Sequence, residues 1–358
     1  MKYFIIAGEA SGDLHASHLI GGIKKKDPDA VFCFFGGDLM AKQGGRLLKH
    51  YSEMAFMGFF TVLLNLKQIK KNFKMAEKEL LKFQPDVLIL VDYPGFNLRM
   101  ARFAKANNIK TFYYISPKIW AWRSDRVKWV KNYVDELFAI FPFEKEFYDL
   151  HDYKIRYVGN PTVDELAVRP NMDQTFRDFI NQNNLADKPI VALLAGSRKQ
   201  EIQLILPVLT QVAGFFPDYQ FVIAGAPSLP LNLYMDNMPD KKFPVIFGQT
   251  YELLQQSKAA VVASGTATLE TAVINIPQVV CYIMELGRFT SLLKQIFFKV
   301  RWFSLVNLIM NGEIVKEFFQ ENCKPAPVAD ELRRILEDTG YRDEMLQNYK
   351  LMLAKLGP

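Results

Sequence analysis

Cysteine is scarce: Cys33, Cys281 and Cys323 are the only three in 358 residues, and no two form a CxxC pair. That excludes a zinc ribbon and a disulfide framework and fits a reducing compartment. The four histidines include no HExxH, and His15 and His18 lack an evident third ligand, so no metal site and no cofactor are expected. Neither a Walker A sequence nor GxGxxG occurs, which disfavours a P-loop ATPase and a standard nicotinamide site. Long apolar runs are missing too. The longest, Ala55 to Leu66, reaches roughly a dozen residues where a spanning helix needs about 20, so no membrane crossing is expected. The apolar opening, Met1 to Gly8, is too short for a signal peptide and reads as a first strand.

What is present is a chain long enough for two domains, with 50% hydrophobic and 23% charged residues, the balance of a packed globular protein. The net charge of +6 favours an anionic partner without choosing among nucleic acid, membrane and phosphorylated substrate. Short apolar runs alternate with amphipathic stretches. Tyr3–Ala7, Val31–Phe35, Val87–Val91 and Thr111–Ile115 lie in the first half; Pro189–Leu194, Gln220–Ala224, Ala259–Ala263 and Gln278–Tyr282 lie in the second. Continuous apolar strands between helices indicate parallel sheets covered on both faces, so the fold class is α/β with two Rossmann-like domains. The polar stretch from about Thr162 to Lys188 marks the boundary, giving domains 1–165 and 185–335. The C-terminal helix, 341–358, is expected to join a first domain, its own or a partner's.

In an open parallel sheet ligands bind beyond the carboxyl ends of the strands, so the loops after the apolar runs carry the interest. Ser264-Gly265-Thr266 opens a helix, where small residues and free N–H groups suit phosphate, and Glu270 lies one turn on, placed for ribose hydroxyls. The same pattern also describes an ordinary Ser/Thr-capped helix with an early acid. Gly196-Ser197-Arg198 follows the equivalent strand. An arginine fork suits a diphosphate, and a turn arginine at the surface is the alternative. Asp92, ending the Val87–Val91 run before Tyr93-Pro94 and Gly95-Phe96-Asn97, is a general base if its pKa rises from about 3.9; otherwise it is a turn or N-cap aspartate. Glu9, Ser11 and Asp13 flank the first strand-to-helix turn, where two acids repel phosphate and suit hydroxyls or amides. Ser116-Pro117-Lys118-Ile119-Trp120-Ala121-Trp122-Arg123 packs two tryptophans and two cations into eight residues, either to grip a sugar face or acyl chain or as an aromatic corner of the fold.

Two stretches combine apolar and basic residues: Phe56–Lys78, with Lys67, Lys70, Lys71, Lys74 and Lys78, and Arg288–Phe303, with Arg288, Lys294, Lys299 and Arg301. Either attracts an anionic membrane surface or is a plain amphipathic helix with a basic polar face. Nucleic acid is disfavoured because the cations sit among bulky aliphatics.

Taken in order, Gly8-Glu9-Ala10-Ser11-Gly12-Asp13, Val91-Asp92-Tyr93-Pro94-Gly95-Phe96-Asn97, Ser116-Pro117 with Trp120-Ala121-Trp122-Arg123, Phe141-Pro142-Phe143-Glu144, Gly196-Ser197-Arg198, Ser264-Gly265-Thr266-Ala267-Thr268-Leu269-Glu270 and Ser304-Leu305-Val306-Asn307 resemble the lipid A disaccharide synthase family. The resemblance spans residues 8 to about 310. It implies a metal-independent inverting glycosyltransferase of the GT-B fold, two Rossmann-like domains facing across a cleft. The implied partners are UDP-2,3-diacylglucosamine as donor and 2,3-diacylglucosamine 1-phosphate (lipid X) as acceptor, joined β-1′,6 at the cytoplasmic face of the inner membrane of Gram-negative bacteria. By position Asp92 and Arg198 match functional residues of the family, Asn307 matches the asparagine of its Ser-Leu-Pro-Asn motif, and Glu9, Ser11 and Asp13 match its N-terminal loop. Ala195 and Val306 stand where the family commonly has proline, which bears on loop rigidity rather than chemistry.

Residues and resemblance together put Ser264, Gly265, Thr266 and Arg198 on the diphosphate and Glu270 on the ribose. Asp92 is the first choice of base, with Asp13 and Glu9 behind it. Ser11, Asn97, Ser116, Trp120, Trp122, Arg123, Gly196, Ser197 and Asn307 complete the expected substrate contacts. Two rivals stay open: another GT-B enzyme of UDP-N-acetylhexosamines, a 2-epimerase or the peptidoglycan lipid transferase, and a non-catalytic binder of lipid or nucleotide at the membrane surface. Association with a second copy of the chain also stays open.

Overall fold

The computed structural model describes residues 1–54, 65–122, 124–238, 243–284 and 301–357. The chain divides into two units, Met1–Gly159 and Asn160–Pro358. In the first unit the strands are β1 (Lys2–Ala7), β2 (Val31–Gly36), β3 (Arg46–His50), β4 (Val87–Val91), β5 (Lys110–Tyr114), β6 (Glu136–Ala139) and β7 (Arg156–Tyr157). They form one sheet in the order β3-β2-β1-β4-β5-β6-β7, every neighbouring pair parallel. All five residues of β4 are buried, which is why its sequence shows no alternation: helices cover both faces. The core behind it gathers Phe4, Ile6, Phe35, Leu88, Leu90 and Tyr113.

The second unit repeats the plan with β8 (Ile190–Leu194), β9 (Gln220–Gly225), β10 (Val245–Phe247), β11 (Ser257–Ala263), β12 (Gln278–Tyr282) and β13 (Glu317–Phe319). Their order is β10-β9-β8-β11-β12-β13, again parallel throughout. Both orders reverse once. From β1 the chain builds outward through β2 and β3, then returns to lay β4 on the other side of β1. From β8 it does the same with β9, β10 and then β11. Each reversal opens a crevice at the carboxyl ends of two adjacent strands, where ligands of doubly wound sheets bind.

The stretch 162–188, polar enough to read as a linker, carries two helices of the second unit, Pro161–Ala167 and Phe176–Gln182, the latter burying Phe179 and Ile180. In the first unit the helix Leu66–Phe83 buries Asn72, Ala76 and Leu80 at four-residue spacing and leaves Lys67, Lys70, Lys71, Lys74 and Lys78 exposed. It stops where Gln84 turns left-handed (φ 51°) just before Pro85, closing the last turn on the Leu80 carbonyl. Among the described residues no helix is long and apolar enough to cross a membrane.

The C-terminal helix, Thr339–Leu356, is grouped with the second unit rather than with the first domain that the sequence suggested. It buries Met345, Tyr349, Met352 and Leu356, and Gln278 at the start of β12 donates its side-chain amide to the Tyr349 hydroxyl at 3.3 Å. Burial of these apolar side chains outweighs that long hydrogen bond in holding the helix. Tyr349→Ala is therefore expected to cost about 3–5 kcal/mol and Tyr349→Phe only about 1 kcal/mol. Urea denaturation with limited proteolysis of the C-terminus checks this, and equal losses would put the stability in the hydroxyl instead.

Candidate active site

At the first reversal, β1 runs into Gly8 and β4 into Asp92-Tyr93. A Cβ on Gly8 would lie 2.3 Å from the Tyr93 ring, so only glycine lets that ring cover the turn. The Tyr93 hydroxyl donates to the Met54 carbonyl at 2.7 Å. Asp92 and Tyr93 both adopt positive φ, 43° and 46°, a conformation that costs non-glycine residues on the order of 1 kcal/mol or more each. Surrounding bonds hold them there. The Asp92 carbonyl accepts from the Asn97 amide at 2.8 Å and the Tyr113 hydroxyl at 2.5 Å, while the Asp92 N–H donates to the Tyr114 carbonyl at 3.2 Å. The kink turns the Asp92 side chain out of strand register, at the point where the sheet opens.

Burial pushes the Asp92 carboxyl above the usual carboxylate range, opposed by the Lys118 ammonium and the Tyr93 N–H. A carboxylate raised in this way is a better proton acceptor, which is what a general base requires. Lys118 was passed over in the sequence because nothing in its neighbourhood ties it to Asp92; only the sheet brings them together.

The other expected residues of this unit divide clearly. Asp13 is buried, and its carboxylate accepts from three backbone N–H groups, Gly37 at 2.7 Å, Leu39 at 3.1 Å and Met40 at 3.2 Å. It ties the first helix to the start of the helix Asp38–Lys42, and this use of both oxygens replaces the role of reserve base. Asn97 is fully buried and shares its amide between the Val91 carbonyl, at 3.1 Å, and that of Asp92, so it positions the kink rather than touching substrate. Glu9 is half-buried at the mouth of the turn; burial of the Tyr93 ring, with the Glu9 charge behind it, lifts that phenol to about 12. Ser11 is exposed one turn further on.

Ser116 is buried, its hydroxyl 3.1 Å from that of Tyr148, and Trp120 packs edge-on against Phe143 at 4.9 Å. This is the aromatic-corner alternative, joined to the helix Pro142–Asp149. Arg123 and the Trp122 side chain lie outside the described residues. Glu144, quoted in a motif but given no role, is a buried carboxyl here. It accepts from the Phe141 and Ile140 N–H groups at 3.1 and 3.3 Å, and burial still lifts it to about 7 against those bonds. Its sequence signal, an acid three residues into a helix after proline, reads only as a cap.

At the second reversal, β8 runs into Ala195-Gly196-Ser197-Arg198. Gly196 has φ 107°, and a Cβ there would meet the Glu201 carboxylate at 2.3 Å. Glu201 accepts from the Ser197 and Arg198 N–H groups at 2.9 and 3.2 Å, which fixes the turn without the family's proline. The backbone of this loop is thus committed to Glu201, and what it offers a ligand is the Arg198 side chain. That guanidinium is 64% exposed, 3.5 Å from Glu201. An exposed pair of this kind is worth about 0–1 kcal/mol and yields readily to a diphosphate.

Next to it, β11 runs into Ser264, whose hydroxyl donates to the Phe303 carbonyl at 2.9 Å. Gly265 and Thr266 are exposed at the start of the helix Thr266–Val273, which has no side-chain cap; the Thr268 N–H donates to the Gly265 carbonyl at 3.3 Å. Glu270, on the same helix, is held up to about 7 by burial first and by Glu165 second, while Thr266 hydrogen bonds to its charged form. Tyr251 donates to Glu165 at 3.4 Å, so three separate helices converge on these two acids. Tyr282, at the end of β12, lies near enough to Arg198 and Glu201 to feel both charges and stacks with Phe303 and Phe319 at 5.5 and 5.7 Å. Sequence reading missed this stack, because its members lie far apart in the chain.

Asn307 is not a ligand contact. It is fully buried: its amide donates to the Val315 carbonyl at 2.8 Å and to Glu317 at 2.7 Å, and its oxygen accepts from Ile314 and Val315 at 2.7 and 3.0 Å. Every polar atom of its side chain is occupied, so it braces the segment from Ile314 to Glu317. Val306, in the place of proline, is simply buried beside it.

The family model described as lipid-A-disaccharide synthetase matches residues 3–356. Lipid-A-disaccharide synthase from Myxococcus xanthus is 36% identical over 362 residues, covering 99% of this chain and 93% of that protein. Among solved structures, UDP-GlcNAc 2-epimerase from Neisseria meningitidis bound to UDP-GlcNAc has a TM-score of 0.65 at 14% identity, covering 99% of each chain. A calicheamicin glycosyltransferase has 0.57 at 12%, covering 100% of this chain and 95% of that one. Identities so low establish the fold alone, two parallel-sheet α/β domains of the GT-B kind. The match along nearly the whole sequence establishes more: this chain belongs to the lipid-A-disaccharide synthetase family.

Proposed function

We propose that the chain transfers 2,3-diacylglucosamine from UDP-2,3-diacylglucosamine to the 6-hydroxyl of 2,3-diacylglucosamine 1-phosphate, with inversion. The observation that carries this reading is the strained Asp92-Tyr93 kink, which sets a carboxyl of raised pKa at the reversal of the first sheet. Asp92 takes the proton of the 6-hydroxyl while its oxygen bonds to the anomeric carbon. The bond from that carbon to the UDP oxygen breaks, and charge gathers on the diphosphate. Arg198 and the first turn of the helix Thr266–Val273 stabilise that charge, preorganised in the second unit. Glu270 holds the ribose hydroxyls as an acceptor.

The exposed lysines of the helix Leu66–Phe83 support a further part of the reading, attachment to an anionic membrane surface at about 1 kcal/mol per cation. That surface is the cytoplasmic face of the inner membrane, where both acylated sugars reside. Of the expected basic stretches, 56–64 and 288–300 lie outside the described residues; Phe303, from the end of the second, is stacked on Phe319 at 4.6 Å.

Asp92→Asn is expected to lower kcat by about 10²–10⁴-fold with the urea midpoint unchanged, measured as UDP release from the two acylated sugars in detergent. Near-normal turnover would move the base elsewhere, and turnover only with a non-acylated UDP-sugar would keep the fold and overturn the substrate. Asp13→Asn should do the reverse, lowering stability by about 1–3 kcal/mol while the remaining folded enzyme turns over. Arg198→Ala is expected to cost about 10²–10³-fold in kcat and nothing measurable in stability.

Glu270 yields a pH prediction. Its folded pKa, raised from 4.5 to about 7, means the folded chain binds the extra proton between those values, so stability falls as pH rises through that window. Donor binding runs the other way, since only the ionised carboxylate offers all its lone pairs to the ribose. KM for the donor is expected to fall as pH rises through about 7, and Glu270→Gln should raise KM and flatten that dependence. An unchanged pH profile in the variant would remove Glu270 from the ribose.

A further inference from the structure

Beside the Asp92-Tyr93 kink lies a groove of about 350 Å³ within the first unit, in the size range of small-ligand sites. Its walls come from three elements: the helix Leu66–Phe83, the start of the helix Pro94–Ala106, and the segment Asp125 to Trp129. The apolar lining is continuous with the kink. Phe73 packs on Phe96 at 4.6 Å, and Phe96 stacks with Tyr93 at 5.7 Å. Arg99 and Arg126 also line the groove against a single carboxylate, Asp125, and Arg102 lies 6.0 Å over the Trp129 ring at its edge. The Arg126 charge reaches Tyr113, whose hydroxyl holds the Asp92 carbonyl, so this arginine stands close to the proposed base.

A slot that is apolar along its length and doubly cationic next to a general base has the complementarity of an anionic amphiphile. Neither a nucleotide nor a plain sugar would use the apolar wall. We propose that this groove is the acceptor's subsite: Ile69, Phe73 and Trp129 cover one of its acyl chains while Arg99 and Arg126 hold its phosphate. The assignment rests on the reaction proposed above and adds to it the residues that select a phosphorylated, acylated acceptor. Binding the phosphate at one end of the sugar and the chain along the wall leaves the 6-hydroxyl to meet Asp92. Guanidinium groups suit this task because their paired donors match phosphate oxygens.

The test is equilibrium binding, in detergent and without donor, of lipid X and of its analogue lacking the 1-phosphate. Each of Arg99→Ala and Arg126→Ala is expected to weaken lipid X by about 10- to 100-fold and to leave the dephosphorylated analogue unchanged. Arg126→Lys, which keeps the charge but not the fork, should fall between. Ile69→Trp, filling the groove, is expected to weaken long-chain acceptors more than short-chain ones. Equal loss for both lipids, or none for either, overturns the phosphate assignment. Loss confined to anionic vesicles, with detergent-solubilised lipid X bound normally, overturns it in favour of a membrane headgroup. UDP release by the unaltered chain is measured alongside. If lipid X binds as expected without turnover, the reaction fails and the subsite stands; if turnover proceeds and the arginine variants bind lipid X normally, only the subsite fails.

Discussion

Two adjacent residues in left-handed conformation, Asp92 and Tyr93, set the geometry on which the first unit's chemistry depends. Left alone, such a pair would relax into the strand or the helix on either side. It persists because the Asp92 carbonyl is gripped from two directions, by Asn97 on the following helix and by Tyr113 on the neighbouring strand. Gly8 then leaves room for the Tyr93 ring, and that ring continues into the aromatic wall of the groove. The raised carboxyl, the turn and the groove beside it are thus consequences of one kink. A change in any of its braces would be felt at the base without touching a substrate.

The second unit solves a related problem by a different device. Its loop after β8 turns on a left-handed glycine, and Glu201 ties down the two N–H groups that follow. The backbone is tied down while the arginine side chain stands exposed, in an ion pair with Glu201. A fixed anchor with an exposed charge is the arrangement that the proposed role at a leaving group asks for. The adjacent loop supplies what the first withholds, an exposed helix start with no side-chain cap.

The sheets were legible because parallel strands covered on both faces leave continuous apolar runs, as in Val87–Val91 and Ile190–Leu194. The loops after them were legible for the same reason, since strand ends are where such folds bind. What a polar residue does in a loop was not legible. Asp13, Asn97 and Asn307 look like ligand contacts in sequence, yet each is buried and bonded to backbone, because whether a donor meets a carbonyl or a solvent-facing crevice depends on contacts up to 91 residues away. Lys118 beside Asp92, Arg126 beside Tyr113 and the Tyr282–Phe303–Phe319 stack went unread for the same cause. The C-terminal helix was expected on a first domain, its own or a partner's, and its packing residues, Tyr349 above all, carry no pattern that names a neighbour.

Gln278 joins two of these features. Its side-chain amide donates to the Thr268 carbonyl, in the helix that begins at the exposed Gly265-Thr266 turn, and to the hydroxyl of Tyr349 in the last helix of the chain. It links the terminus to the helix Thr266–Val273, a polar tie added to the burial of Tyr349. Material clipped near its end during purification, or fused there to a bulky tag, would therefore carry its lesion inward to the helix Thr266–Val273. A preparation judged intact by its fold could still be altered at the exposed Gly265-Thr266 turn for that reason alone.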